Sequence, residues 1–199
     1  MLNRRHFIGT VGAAGLLLPA SSPAAAATEA AAATASRDHE RFMAAAIEEG
    51  RKNERYPFGA VIVRAGLVVA RGTASADSPV QHGEIAAIED YGRPYGSPEW
   101  AGTALYTTAE PCPMCMSACA WAGIARVVWG TSIEGLRRTG LDQIDLSATA
   151  VAEAAKSFYH PQLLLGGVLA DRTDELFRRA QILRDGGDEE ASRRYGARP

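Results

Sequence analysis

Cysteine is scarce in this chain: three among 199 residues, all between positions 112 and 119. A small exported fold stapled by disulfides uses an even set spread along the chain, so that class is excluded. Long apolar runs are missing too. The stretch from Phe7 to Leu18 is twelve residues long, short of the roughly 20 that a bilayer span needs, so no stable membrane span is expected. Nor is there an excess of positive charge. With 21 Lys+Arg against 23 Asp+Glu the net charge is −2, which disfavours a generic binder of phosphate backbones. No internal repeat is visible. What remains is a chain that is 47% apolar and 22% charged, in the globular range and long enough for a core even without its alanine-rich first 36 residues.

Those 36 residues read as an address. Asn3-Arg4-Arg5-His6-Phe7-Ile8 precedes the short apolar run, Pro19 and Pro23 break it, and Ala24–Ala27 offers small-residue cleavage sites. The arrangement resembles a twin-arginine export signal, which implies a periplasmic protein. An ordinary secretory signal and an uncleaved anchor are the alternatives. The organisation expected is an export signal over 1–27, a low-complexity tether over 28–36, a catalytic domain over 37–183 and a flexible tail over 184–199. Loss of Arg4 and Arg5 with the signal leaves the mature chain more acidic.

Along the mature chain, Asp38 is placed to cap a helix over His39–Gly50, with Phe42, Met43, Ala46 and Ile47 on one face. Ala60–Val63 and Leu67–Ala70 read as a hairpin around Ala65-Gly66. A helix is expected from Gly83 to Tyr91, a loop over Gly92–Gly102, and a third strand at Ala104–Thr107. Pro113 opens another helix that stops near Gly123. Arg126–Trp129 is a fourth strand, Asp142–Ala155 fits either a helix or irregular chain, Leu163–Leu165 is a candidate fifth strand, and Asp171–Leu183 a last helix. Alternation of strands and helices predicts an α/β fold.

Two motifs carry chemistry: His82-Gly83-Glu84 and Pro111-Cys112-Pro113-Met114-Cys115. Each opens a predicted helix. Cysteines three apart on a first turn can turn their sulfurs to one point, and a helix start favours thiolate over thiol. Two thiolates and an imidazole make three ligands for Zn2+ and leave a fourth position open, the pattern of a catalytic rather than a structural zinc site. Glu84, off the ligand direction, is the candidate proton carrier. The competing reading of Cys112 and Cys115 is a redox pair or disulfide. Cys119 reads as core packing, with a fourth metal ligand as the alternative. Glu110 reads as a structural turn residue, and His39 and His160 as surface residues.

H-x-E with P-C-x-x-C is the signature of zinc deaminases, and from His39 to Ala180 the chain resembles the cytidine-deaminase-like superfamily, nearest the branch holding guanine deaminase, cytosine deaminase and tRNA adenosine deaminase. The shared stretches are Pro57–Val63, His82–Ile85, Leu105–Thr108 and Glu110–Cys115. The resemblance implies a three-layer α/β/α fold with a five-stranded mixed sheet, a homodimer, zinc on His82, Cys112 and Cys115, and Glu84 as proton shuttle. It also implies a pocket wall near Phe58 and Ala60. Relatives often carry Gly-x-Asn after the second strand, where the amide bonds the substrate ring; here the stretch is Gly72-Thr73-Ala74, so Ala74 replaces it. Asp142 slightly resembles a purine-recognising acidic position in guanine deaminases, although a solvated loop aspartate is the plainer reading. The expected activity is hydrolytic deamination of a free base or nucleoside, guanine or a related aminopurine ahead of cytosine. The alternatives are a tRNA adenosine deaminase, which the acidic balance and the export signal disfavour, and a non-catalytic zinc- or redox-sensing module.

Overall fold

The computed structural model describes residues 23–93 and 99–186. Arg4, Arg5 and the apolar run of the expected export signal, part of the Gly92–Gly102 loop and most of the expected tail lie outside the described residues. The chain divides into two compact units, 1–34 and 35–199.

The second unit is built on one five-stranded sheet in the order β2-β1-β3-β4-β5. Its strands are β1 (Gly59–Arg64), β2 (Leu67–Thr73), β3 (Ala104–Ala109), β4 (Arg126–Thr131) and β5 (Leu163–Leu165). β1 runs antiparallel to both β2 and β3, whereas β3, β4 and β5 are parallel, so the sheet is mixed. The β1–β2 hairpin turns through Ala65 and Gly66, both at positive φ (51° and 75°), the sense of turn that matches strand twist. β1, β3 and β4 are apolar on both faces because helices cover both. On one face, Ala60, Ile62, Leu105, Val127 and Trp129 pack against α2 (Gly83–Gly92), α3 (Pro113–Ala122) and α5 (Ala148–Ala154). On the other, Val61, Val63, Tyr106 and Val128 meet Phe42, Met43, Ala46 and Ile47 of α1 (Pro23–Gly50) and Leu176 of α6 (Ala170–Arg184). This is the three-layer α/β/α architecture with a five-stranded mixed sheet.

Four local readings are corrected or sharpened. The first helix does not start at an Asp38 cap: α1 begins at Pro23 and takes in the low-complexity stretch 28–36. Alanine's helix propensity is sufficient reason, since residues 31–38 are exposed and no apolar stripe appears until Phe42. Asp142–Ala155 resolves into both alternatives, an irregular segment followed by α5, with the Ser147 side chain accepting from Ala150 N–H as its cap. A short helix, α4 (Ile133–Arg138), capped in the same way by Ser132, was not anticipated; six residues are too few to show a periodic pattern. His39 is half-buried rather than a plain surface residue, its Nδ1 lying 2.9 Å from the Tyr106 hydroxyl.

Candidate metal centre and proton carrier

The two motifs meet because both close a β-to-helix connection on the same side of the sheet. His82 is the N-cap of α2 and Cys112 the N-cap of α3, each in extended backbone (φ −70°, ψ 163° and φ −61°, ψ 166°), and neither side chain caps its own helix. Both are therefore free to point outward. Pro113 starts α3 at the position where a missing N–H costs nothing. α2 can approach because of two glycines. A Cβ on Gly83 would sit 2.4 Å from the Phe58 carbonyl, and one on Gly72 would sit 2.1 Å from the Gly83 carbonyl. Any side chain at either place pushes the His82 end of α2 off the sheet.

The nitrogen and sulfur atoms of His82, Cys112 and Cys115 lie within 4.8 Å of one another. His82 Nδ1 is 3.6 Å from Cys112 Sγ and 3.5 Å from Cys115 Sγ. Bond lengths of about 2.0 Å to nitrogen and 2.3 Å to sulfur at a tetrahedral angle place such atoms about 3.5 Å apart, so the donor set fits zinc in both chemistry and spacing. Cys115 is buried while His82 and Cys112 are half-buried, which leaves one side of the centre open. Cys119 is not part of it: it is fully buried among Met116, Ala120 and Ile124 and does not join the group of donor atoms that lie within 4.8 Å of one another. That removes the fourth-ligand reading.

The protein groups already favour charge separation here. A hydrogen bond from Cys115, then one from His82, draws the Cys112 thiol down to about 4. The bond to Cys112 raises His82 as well. Cys115, as donor to Cys112 and buried, moves the other way.

Glu84 sits in the first turn of α2, 2% exposed. Its Oε1 accepts from the Thr107 hydroxyl at 3.2 Å, and its Oε2 lies 3.5 Å from Cys115 Sγ. Burial raises its pKa, so this carboxyl binds a proton more readily than an exposed one would, beside the centre and outside the three clustered ligands.

The expected pocket residues are less concentrated. The Phe58 ring stacks near the His82 ring (centroids 6.1 Å, 15° between planes) and packs on Phe177 at 5.0 Å. Ala60 is wholly buried and paired with Thr107 across the sheet. Ala74 is pinned by its backbone: its N–H donates to the Phe58 carbonyl at 2.9 Å and its carbonyl accepts from Asn53 Nδ2 at 3.1 Å. Asn53 also accepts from Tyr56 N–H through Oδ1, so both ends of this nearby amide have protein partners. Asp142 is exposed in the loop after α4 and shares no hydrogen bond or ring contact with the centre among the described residues.

Sequence reasoning missed two contributors. Thr107 was noticed only as part of a shared stretch, though two adjacent threonines in a strand buried at all six positions are a signal in themselves. Glu110 is a turn residue, as expected, but with a specific task. One oxygen accepts from Ile133 N–H at 3.0 Å and the other from Ala148 N–H at 2.9 Å. It caps the starts of α4 and α5 together, two residues before Cys112.

Comparison with known proteins agrees with this geometry. Residues 36–131 match the family described as the cytidine and deoxycytidylate deaminase zinc-binding region. The zinc-binding deaminase domain is therefore present, with His82, Cys112 and Cys115 as its candidate metal site. Among curated relatives, the guanine deaminase of Bacillus subtilis is 35% identical over 89 residues, 43% of this chain and 57% of that protein. A tRNA-specific adenosine deaminase of Agrobacterium fabrum is 37% identical over 102 residues, 48% of this chain and 66% of that protein. The chain thus spans less than two thirds of the length of these relatives. A solved structure from a study of A-to-I editing by tRNA:A34 deaminases superposes with a TM-score of 0.57 at 28% identity, covering 68% of this chain and 98% of that one. The guanine deaminase of Nitrosomonas europaea shares the fold, with a TM-score of 0.60 at 23% identity over 71% of this chain and 84% of that one. No helix among the described residues is long and apolar enough to cross a membrane.

Proposed function

We propose that this chain is a zinc-dependent hydrolytic deaminase that replaces the exocyclic amine of a small purine or pyrimidine base or nucleoside with oxygen and releases ammonia. The observation that carries the reading is the buried Glu84 carboxyl set beside the His82–Cys112–Cys115 centre, with an oxygen 3.5 Å from Cys115 Sγ. His82, Cys112 and Cys115 would hold zinc, which when bound would acidify water near neutral pH and so supply the oxygen nucleophile. The rest falls to the protein. Glu84 takes one proton from water and gives it to the ring nitrogen, then takes the remaining proton of the added hydroxyl and gives it to the departing amine; one C–O bond forms and becomes the carbonyl as one C–N bond breaks. Phe58, beside His82, offers a flat apolar face to a ring. Guanine or a related aminopurine ranks ahead of cytosine.

A tRNA adenosine deaminase is the second reading, favoured by the relatives of that name. The acidic balance of the chain counts against it, because wrapping an RNA stem calls for a basic face. Export through the twin-arginine route, suggested by Arg4-Arg5, and assembly as a homodimer belong to the same proposal. Ammonia release from a panel of aminopurines, cytosine, their nucleosides and an adenosine-bearing tRNA stem-loop tests the activity. Turnover of a free base supports the first reading, turnover of the stem-loop alone replaces it with the second, and no release from any member overturns both. Cell fractionation of the Arg4→Lys, Arg5→Lys double variant tests export, and light scattering of the purified protein tests the dimer.

A further inference from the structure

Thr107 lies in the middle of β3, paired with Ala60 on one side and Trp129 on the other. It is fully buried. A buried hydroxyl needs an acceptor or it destabilises the fold, and the acceptor here is Glu84 Oε1 at 3.2 Å. The two oxygens of Glu84 therefore have different neighbours, since Oε2 lies on the side of the metal ligands, 3.5 Å from Cys115 Sγ. The donor is well anchored: β3 is held by strands on both sides, whereas Glu84 belongs to the first turn of a helix and hangs on a rotatable stem.

Resting on the deaminase reading above, we propose that Thr107 is a positioning residue for the proton carrier: its hydroxyl holds Oε1 as an acceptor and makes Oε2, turned toward the metal ligands, the oxygen that takes and gives the proton. Thr107 neither gains nor loses a proton in the cycle. Removing its hydroxyl lets the carboxyl turn about its last bond and carry the proton on the wrong oxygen part of the time. The cost then falls on turnover and not on binding of the base.

Thr107→Val keeps the volume and removes the hydroxyl; Thr107→Ser keeps the hydroxyl. In zinc-loaded protein, Thr107→Val is expected to lower kcat about 10- to 100-fold, the range for one hydrogen bond to a charged or proton-transferring group. KM and zinc content should stay unchanged, and Thr107→Ser should restore most of the rate. In a Glu84→Gln background Thr107→Val should add no further loss. Full kcat in Thr107→Val, a loss not restored by serine, or an undiminished additional loss in the Glu84→Gln background would each overturn the proposal. If the wild type releases ammonia from no base, or if Glu84→Gln turns over normally, the deaminase reading is what fails. The hydrogen bond is then decided separately by infrared spectroscopy, with the Glu84 carboxyl band assigned from the Glu84→Gln difference spectrum. A shift of that band in Thr107→Val and its return in Thr107→Ser uphold the contact, and an unmoved band refutes it.

Discussion

The metal-and-proton half of the candidate site and its ring-binding half are built in different ways. His82, Glu84, Cys112 and Cys115 sit at two helix starts packed on a sheet, and their functional atoms are locked to one another by contacts of about 3.5 Å. The ring-binding candidates are dispersed. Phe58 precedes β1, Ala74 follows β2 with its backbone tied to Phe58 and Asn53, and Asp142 is exposed in a loop. On the deaminase reading proposed above, the difference teaches that the reaction class rests on rigid elements, while the choice of substrate is left largely to connecting segments.

The comparison predicts a graded series of effects. Cys112→Ala and Cys115→Ala should be the most damaging: zinc is lost, turnover falls to background, and the melting temperature drops because the ion no longer favours the folded state. Metal analysis beside calorimetry checks this; a zinc-loaded Cys112→Ala would break the assignment of the centre. Glu84→Gln should keep zinc and lose about 100- to 10,000-fold in kcat, the range for general acid–base catalysis. Retained turnover with retained zinc would move the proton carrier elsewhere.

Gly83→Ala tests whether the two halves are mechanically joined. The added Cβ meets backbone at 2.4 Å, so overpacking should cost about 1–3 kcal/mol of stability. It should also weaken zinc binding by tilting the His82 end of α2. Urea denaturation and a zinc-competition titration read the two effects, and a variant with wild-type stability would show that α2 does not need this close approach. On the other half, Ala74→Asn should leave stability and zinc content alone while altering the ratio of rates between purine and pyrimidine substrates. One added ring hydrogen bond is worth about 1 kcal/mol, roughly fivefold. Asp142→Asn should be the mildest change, about twofold or less, as for exposed loop positions. A large effect from it would show that the loop closes over the substrate.

Much of the centre was legible before any coordinates. A histidine two residues before a glutamate and two cysteines three apart are local patterns, and a helix start converts that spacing directly into direction. The strands were legible for a similar reason: short apolar runs between glycine- and proline-bearing turns leave few alternatives. The N-terminal helix was misplaced because alanine-rich chain carries no apolar stripe to mark where propensity alone begins a helix. α4 went unseen because its one clear local sign is a serine cap.

By itself, then, the sequence determined the candidate ligand motifs, the candidate proton carrier and the alternation of strands and helices, since each is a pattern of residues close together along the chain. The tertiary structure alone decided that Thr107 supports Glu84 from 23 positions away. It decided too that Glu110 caps two helices at separations of 23 and 38 residues, and that Cys119 packs in the core and not with the three clustered donor atoms. β3 lies in the middle of the sheet, and partners of a central strand are chosen by strand order and register, which no local window of sequence records.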